Sequence, residues 1–132
     1  MTPETPSAPN SPRTVIVVED EGPIRTIITL ALETKGYRLV VAADGAEGIQ
    51  LAQQHAGPID LVITDVLLPG ISGSDVVREL LKSWPNLHVI YVSGYLGNEH
   101  ELPVSQTGKM RFLSKPFTPR QLLEAVAAVF AT

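Results

Sequence analysis

The sequence predicts an α/β domain built on a doubly wound, five-stranded parallel sheet. Three observations carry this. Short β-branched runs alternate with amphipathic stretches from Thr14 onward. The alternation repeats five times, which implies a parallel sheet covered on both faces and joined by right-handed crossovers. And 132 residues suffice for one sizeable core but not for two.

Residues 1–13 stand outside this pattern. Pro3, Pro6, Pro9 and Pro12 recur at every third position among small polar residues, a spacing that aligns them on one edge of a polyproline II helix. Composition favours a disordered leader, with the folded domain over 14–132. The run Thr14–Val18 reads as a strand buried on both faces. Ile24, Ile27, Ile28, Ala31 and Leu32 then follow helical spacing, with Pro23 suited to the first turn and Gly36 to the position past the last. Leu39–Ala42 reads as the second strand. Asp44 with Glu47 forms a capping-box-like start to a helix carrying Ile49 and Ala52. Ile59–Thr64 is the third strand. Val76, Val77, Leu80, Leu81 and Trp84 line the next helix, which Pro85 stops. His88–Val92 and Arg111–Ser114 are the fourth and fifth strands. Thr118 caps and Pro119 opens a last helix whose Leu122, Leu123, Val126 and Phe130 face inward. Between the last two strands, Gly97–Gly108 holds Pro103 and several polar residues, so its helix is expected to be short or irregular.

Composition narrows the function. A net charge of −4 lacks the basic surface that nucleic acid requires. No window has the apolar length of a membrane span, and no basic stretch followed by an apolar one marks a signal peptide. Zero Cys leaves no disulfide or thiolate metal site, and the cytoplasm is the expected compartment. His55, His88 and His100 show no ligand spacing and read as structural or solvent-facing.

In doubly wound sheets the binding crevice lies beyond the carboxyl ends of the strands. The first strand ends in Glu19-Asp20-Glu21, the third in Asp65, the fourth in Ser93 and the fifth in Lys115-Pro116. Crowded carboxylates repel unless a cation sits among them. A hard divalent cation with oxygen ligands, Mg²⁺ above all, resolves this and leaves coordination positions open. Lys115 adds a point charge for a further anionic oxygen. A phosphoryl group satisfies the whole set, with Asp65 as nucleophile and catalysis by positioning and electrostatics. Taken singly, each of these residues has a plainer reading. Asp65 suits a turn or helix cap, the acidic trio a solvated helix start, Lys115 the open surface, and Phe112 static packing.

At these residues the sequence resembles the receiver domain of bacterial response regulators. The matching segments are Val17-Val-Glu-Asp-Glu21, Thr64-Asp-Val-Leu-Leu-Pro-Gly70, Ser93-Gly94 and Lys115-Pro-Phe117, in the family's order, and the likeness spans 14–131. The resemblance implies a flavodoxin-like strand order 2-1-3-4-5. It implies a phosphoacceptor rather than an enzyme, with Asp65 taking its group from a histidine kinase or histidine phosphotransfer protein. Asp20 and Asp65 would bind Mg²⁺, joined by the backbone carbonyl of Leu67 and, through water, by Glu19. Ser93 and Lys115 would hold the phosphoryl oxygens, with Ser93 and Phe112 as the conformational switch and a cis bond between Lys115 and Pro116. The output would be a protein partner met through Gly97–Gly108, the fifth strand and the last helix, without nucleic acid or membrane.

The sequence departs from the family pattern in places. Glu19 stands where Asp is common, Leu68 replaces a frequent Met, and Phe112 lacks the hydroxyl of the usual Tyr. Ser93-Gly94-Tyr95 and Phe117-Thr-Pro119 look most like receivers of hybrid histidine kinases. Tyr95 is placed either to gate the phosphorylation site or simply to cover it. Three rival functions share parts of this pattern. A flavodoxin-like electron carrier needs a phosphate-cradling loop after its first strand, where this chain has three carboxylates. An Asp-nucleophile phosphatase needs an acid two residues past the nucleophile, where this chain has Leu67. A phosphorylation-independent interaction module of the same fold has no use for a complete acidic site.

Overall fold

The computed structural model describes residues 12–94, 102–103 and 106–131. Five strands form one parallel sheet: β1 (Thr14–Val18), β2 (Arg38–Ala42), β3 (Leu61–Asp65), β4 (His88–Ser93) and β5 (Met110–Ser114), in the order β2-β1-β3-β4-β5. The order follows from burial. β1 and β3 are buried along their whole length, and each pairs on both sides. β2 and β5 are only partly buried and take the edges.

Strand periodicity divides the apolar residues between two faces. Val15, Val17, Leu61, Ile63, Ile90 and Val92 point to one, where Ile28, Ala31 and Leu32 of α1 (Gly22–Glu33) meet Leu122, Val126 and Val129 of α4 (Pro119–Phe130). Ile16, Val18, Val62, Val89 and Tyr91 point to the other. They are covered by Ala52 of α2 (Gly45–Gln54) and by Val76, Val77 and Leu80 of α3 (Gly73–Ser83). Each buried Val, Leu or Ile contributes about 1.5–3 kcal/mol, so neither layer is stable without the sheet between them.

The helix ends match their chemistry. Pro23 lies in the first turn of α1, and Gly36 beyond its end has φ +79°, a conformation that favours glycine. The Asp44 carboxylate accepts from Glu47 N–H at 2.8 Å, but the Glu47 carboxylate reaches back to Ala43 N–H rather than to the cap itself. Thr118 and Gln121 make the complete reciprocal box at α4. Ser72 caps α3 through Asp75 N–H, a start that the apolar spacing alone did not locate.

Several boundaries differ from expectation. β3 begins at Leu61 instead of Ile59, because the Asp60 carboxylate turns to accept from Thr14 N–H at 2.8 Å. β2, β4 and β5 each gain a residue, at Arg38, Ser93 and Met110. Ile27 is 41% exposed, since the inward stripe of α1 runs through Ile28, Ala31 and Leu32. On α4, Val129 takes the fully buried position, and Phe130 packs at the margin against Tyr37 and His88. Of the expected leader only Pro12 and Arg13 are described, and Arg13 joins the fold: its carbonyl accepts from Arg38 N–H and its guanidinium lies over Phe130. The expected short helix in Gly97–Gly108 falls mostly outside the described residues.

Candidate functional site

The parallel sheet brings four strand ends to one edge. Glu19 follows β1 directly and is 1% exposed. Its backbone stays in the sheet's grip, with Glu19 N–H donating to Ala42 O and its carbonyl accepting from Arg25 Nη1 at 2.8 Å. Asp20 and Glu21 then turn outward to the surface at the start of α1. Asp65 closes β3 and is buried. Ser93 closes β4, equally buried, and its carbonyl accepts from Lys115 N–H, which ties the two strand ends together. The Lys115–Pro116 bond is cis, as expected.

Ligand atoms of Glu19, Asp20, Glu21 and Asp65 lie within 4.8 Å of one another. Lys115 Nζ stands among them, 2.5 Å from Asp65 Oδ2, 3.2 Å from Glu21 Oε2 and 3.4 Å from both Glu19 oxygens. Asp65 Oδ1 accepts from Leu67 N–H at 3.0 Å, so each oxygen of the acceptor is oriented by a different donor. Burial pushes the Glu19 carboxyl above its ordinary range, and the Asp65 charge adds to this, against the Glu21 amide and Lys115. For Lys115 burial acts downward, but the hydrogen bond and charge of Asp65, the Glu19 charge and the Glu21 hydrogen bond outweigh it and hold the ammonium above its ordinary range.

Glu19 Oε1 is buried and has no hydrogen-bond partner among the described residues. Three or four carboxylates against one ammonium leave net negative charge. An orphaned, buried oxygen inside an oxygen-only donor set fits a hard divalent cation.

The structure thus brings Glu19, Asp20, Asp65 and Lys115 together, with Ser93 on the adjoining strand end. The Leu67 side chain faces solvent at 69% exposure, and its backbone stays beside the acceptor. Phe112 sits lower on β5, directly opposite Tyr91 in register, and the two rings stack at 5.7 Å. The Tyr91 hydroxyl donates to Pro103 O at 2.6 Å. Tyr95 lies outside the described residues.

Sequence reasoning missed three contributors. Glu21 belongs to the acidic trio at the first strand end but has no assigned role in the sequence reading, yet it pairs with Lys115, a contact 94 positions apart that has no local signature. Arg25 supports the Glu19 backbone from the first turn of α1, and the helical spacing places it on the side facing β1. Gly73 lets α3 start against β3, where a Cβ would stand 2.0 Å from Asp65 O.

Comparison with known proteins agrees with this geometry. Residues 15–127 match the model of the response regulator receiver domain. The sensor kinase CckA of Brucella abortus is 36% identical over 113 residues, 86% of this chain and 12% of that protein. The response regulator GtcR of Aneurinibacillus migulanus is 33% identical over 119 residues, 90% of this chain and 47% of that protein. The chain therefore spans half or less of these relatives' length. Among solved structures, the chemotaxis protein CheY4 of Vibrio cholerae superposes with a TM-score of 0.79 at 26% identity, covering 91% of this chain and 100% of that one. The receiver domain of the hybrid histidine kinase CckA superposes at 0.75 with 31% identity, covering 89% and 99%. With fold, strand-end residues and family model in agreement, the chain belongs to the response regulator receiver family of two-component signalling proteins.

Proposed function

We propose that this receiver stores a signal as a phosphoryl group on Asp65, taken from the phosphohistidine of a histidine kinase or histidine phosphotransfer protein. The observation that carries this is the contact of Lys115 Nζ with Asp65 Oδ2 at 2.5 Å inside a half-buried acidic cluster. A carboxylate oxygen of Asp65 attacks phosphorus, the phosphorus–nitrogen bond breaks, and the imidazole leaves with the bonding pair. With its other ring nitrogen already protonated, the imidazole leaves neutral, so Asp65 needs no acid beside it, and Leu67 at the position where a phosphatase carries one is no obstacle. Lys115 and the Ser93 hydroxyl are the chain's own donors for the new phosphoryl oxygens. Asp20, Asp65 and the Leu67 carbonyl would hold Mg²⁺, with Glu19 reached through water; bound there, the ion screens the charge gathering on the transferred group. Phe112 and Ser93 carry the response to a protein partner through β5, α4 and the 97–108 segment. The receiver would work in the cytoplasm, with the Pro-rich stretch ahead of Arg13 as a leader outside it.

The test is intact mass after incubation with acetyl phosphate and Mg²⁺. Wild type should gain one phosphoryl group only when Mg²⁺ is present, and Asp65→Asn should gain none. Folded wild-type protein that gains nothing, from acetyl phosphate or from a phosphorylated kinase, would make this a receiver that signals by binding alone.

A further inference from the structure

The contacts of Lys115 raise a question of donor count. An ammonium has three protons to donate. Here three carboxylates take them: Asp65 at 2.5 Å, Glu21 at 3.2 Å and Glu19 at 3.4 Å. Lys115 is saturated before any phosphoryl group arrives. To meet a new oxygen on Asp65 it must release one of these partners.

The three differ in what release costs. The side chains of Glu19 and Asp65 are 1% and 8% exposed, and until Asp65 spends its charge on the new bond either carboxylate left there without its counter-charge is poorly solvated. The Glu21 side chain is 57% exposed at the rim, so water takes over its hydrogen bond at once. Glu21 is therefore the partner that yields. It also lies one residue beyond Asp20, where the chain enters α1 with no side-chain cap of its own, so the Glu21 carboxylate is held to Lys115 rather than to a helix end.

We propose that Glu21 is a positioning residue, a rim latch that occupies one Lys115 proton in the unphosphorylated receiver and hands it to the phosphoryl group during transfer. The inference rests on the phosphoacceptor reading of Asp65. It gives Glu21 a role that the metal-binding carboxylates do not share. Glu21 sets how readily Lys115 becomes available, and so tunes the rate of phosphorylation rather than the ability to be phosphorylated. Its removal should speed the step, because the contact is made in the ground state and lost on the way to the product.

The experiment is a time course of intact mass for wild type and Glu21→Gln at saturating Mg²⁺, with acetyl phosphate varied to separate the maximal rate from the half-saturating donor concentration. Mg²⁺ affinity is measured in parallel on each protein. An exposed ion pair of this kind predicts a maximal rate about two- to fivefold higher in Glu21→Gln, with Mg²⁺ affinity changed less than about twofold. A lower half-saturating concentration at unchanged maximal rate would mean that Glu21 merely repels the anionic donor, and would overturn the latch. So would a large loss of Mg²⁺ affinity, which would make Glu21 part of the metal site, or a slower maximal rate, which would mean that Glu21 holds Lys115 in its working position. If wild type itself gains no phosphoryl group from any donor, the reading of Asp65 fails and the latch with it. A normal wild type beside an indistinguishable Glu21→Gln overturns the latch alone.

Discussion

Glu19 carries a charge in a place with almost no water, and one of its oxygens has no hydrogen-bond partner among the described residues. Burial is the largest influence on it and works against ionisation, so the negative charge at pH 7 costs the metal-free fold stability. Replacing Glu19 by Gln keeps the shape and removes that charge. The variant should unfold at a higher urea concentration than wild type when both are free of divalent ions. Mg²⁺ should reverse the ranking. A cation at one hundred times its dissociation constant stabilises the folded state by about 2.7 kcal/mol, and the wild-type urea midpoint should rise accordingly. Asp20→Asn should lose most of that gain. Equal Mg²⁺ responses in wild type and Asp20→Asn would place the ion somewhere other than this cluster.

At the scale of the element, the acceptor is positioned by a helix that touches its backbone. Gly73 opens α3 so close to β3 that a Cβ would stand 2.0 Å from Asp65 O and 3.1 Å from Thr64 Oγ1. Gly73→Ala must push the helix away from the strand end, with an expected loss of about 1–3 kcal/mol from overpacking. Because the push falls on Asp65 itself, the rate of acetyl phosphate labelling should drop as well. Gly36→Ala serves as the comparison: nothing lies within 4 Å of its Cβ, so only the positive φ is strained and labelling should be untouched. Equal labelling rates in Gly73→Ala and wild type would show that α3 does not set the acceptor's position. The same helix marks where sequence reading stops. The strands, the two-faced core and the order of the site residues were legible, because continuous β-branched runs between amphipathic stretches and the residues that end them are local patterns. The Ser72 cap of α3 was within reach, because Ser72 and Asp75 stand three residues apart, whereas the close approach of Gly73 and the pairing of Glu21 with Lys115 join parts of the chain whose distance in space no spacing encodes. Val129 displacing Phe130 from the core is of the same kind: both suit the helix face, and only the margin filled by Tyr37, Arg13 and His88 decides between them.

The whole molecule has two poles. The acidic cluster stands at the carboxyl edge of the sheet, and His88 stands at the opposite edge, at the start of β4, where the chain's last turn packs down. His88 Nδ1 accepts from Lys109 N–H at 2.8 Å, its ring meets Phe130 edge-on, and the Lys109 ammonium bonds the Ala131 carbonyl. One imidazole thus joins β4 to the approach of β5 and to the end of α4. It does so only while Nδ1 is unprotonated. Burial lowers the His88 pKa from its ordinary 6.5, the Arg13 and Lys109 charges lower it further, and Asp60 opposes them weakly. The unfolded chain therefore binds this proton more readily than the folded one. The stability that His88 contributes is complete above pH 6.5, and it is lost as the pH falls from there through the lowered folded value. Protonation also removes a hydrogen bond worth about 0.5–1.5 kcal/mol. His88→Gln offers a neutral acceptor at every pH, so its urea midpoint should fall less than that of wild type between pH 7.5 and pH 5.5. Parallel pH profiles for the two proteins would remove His88 from the account of acid sensitivity.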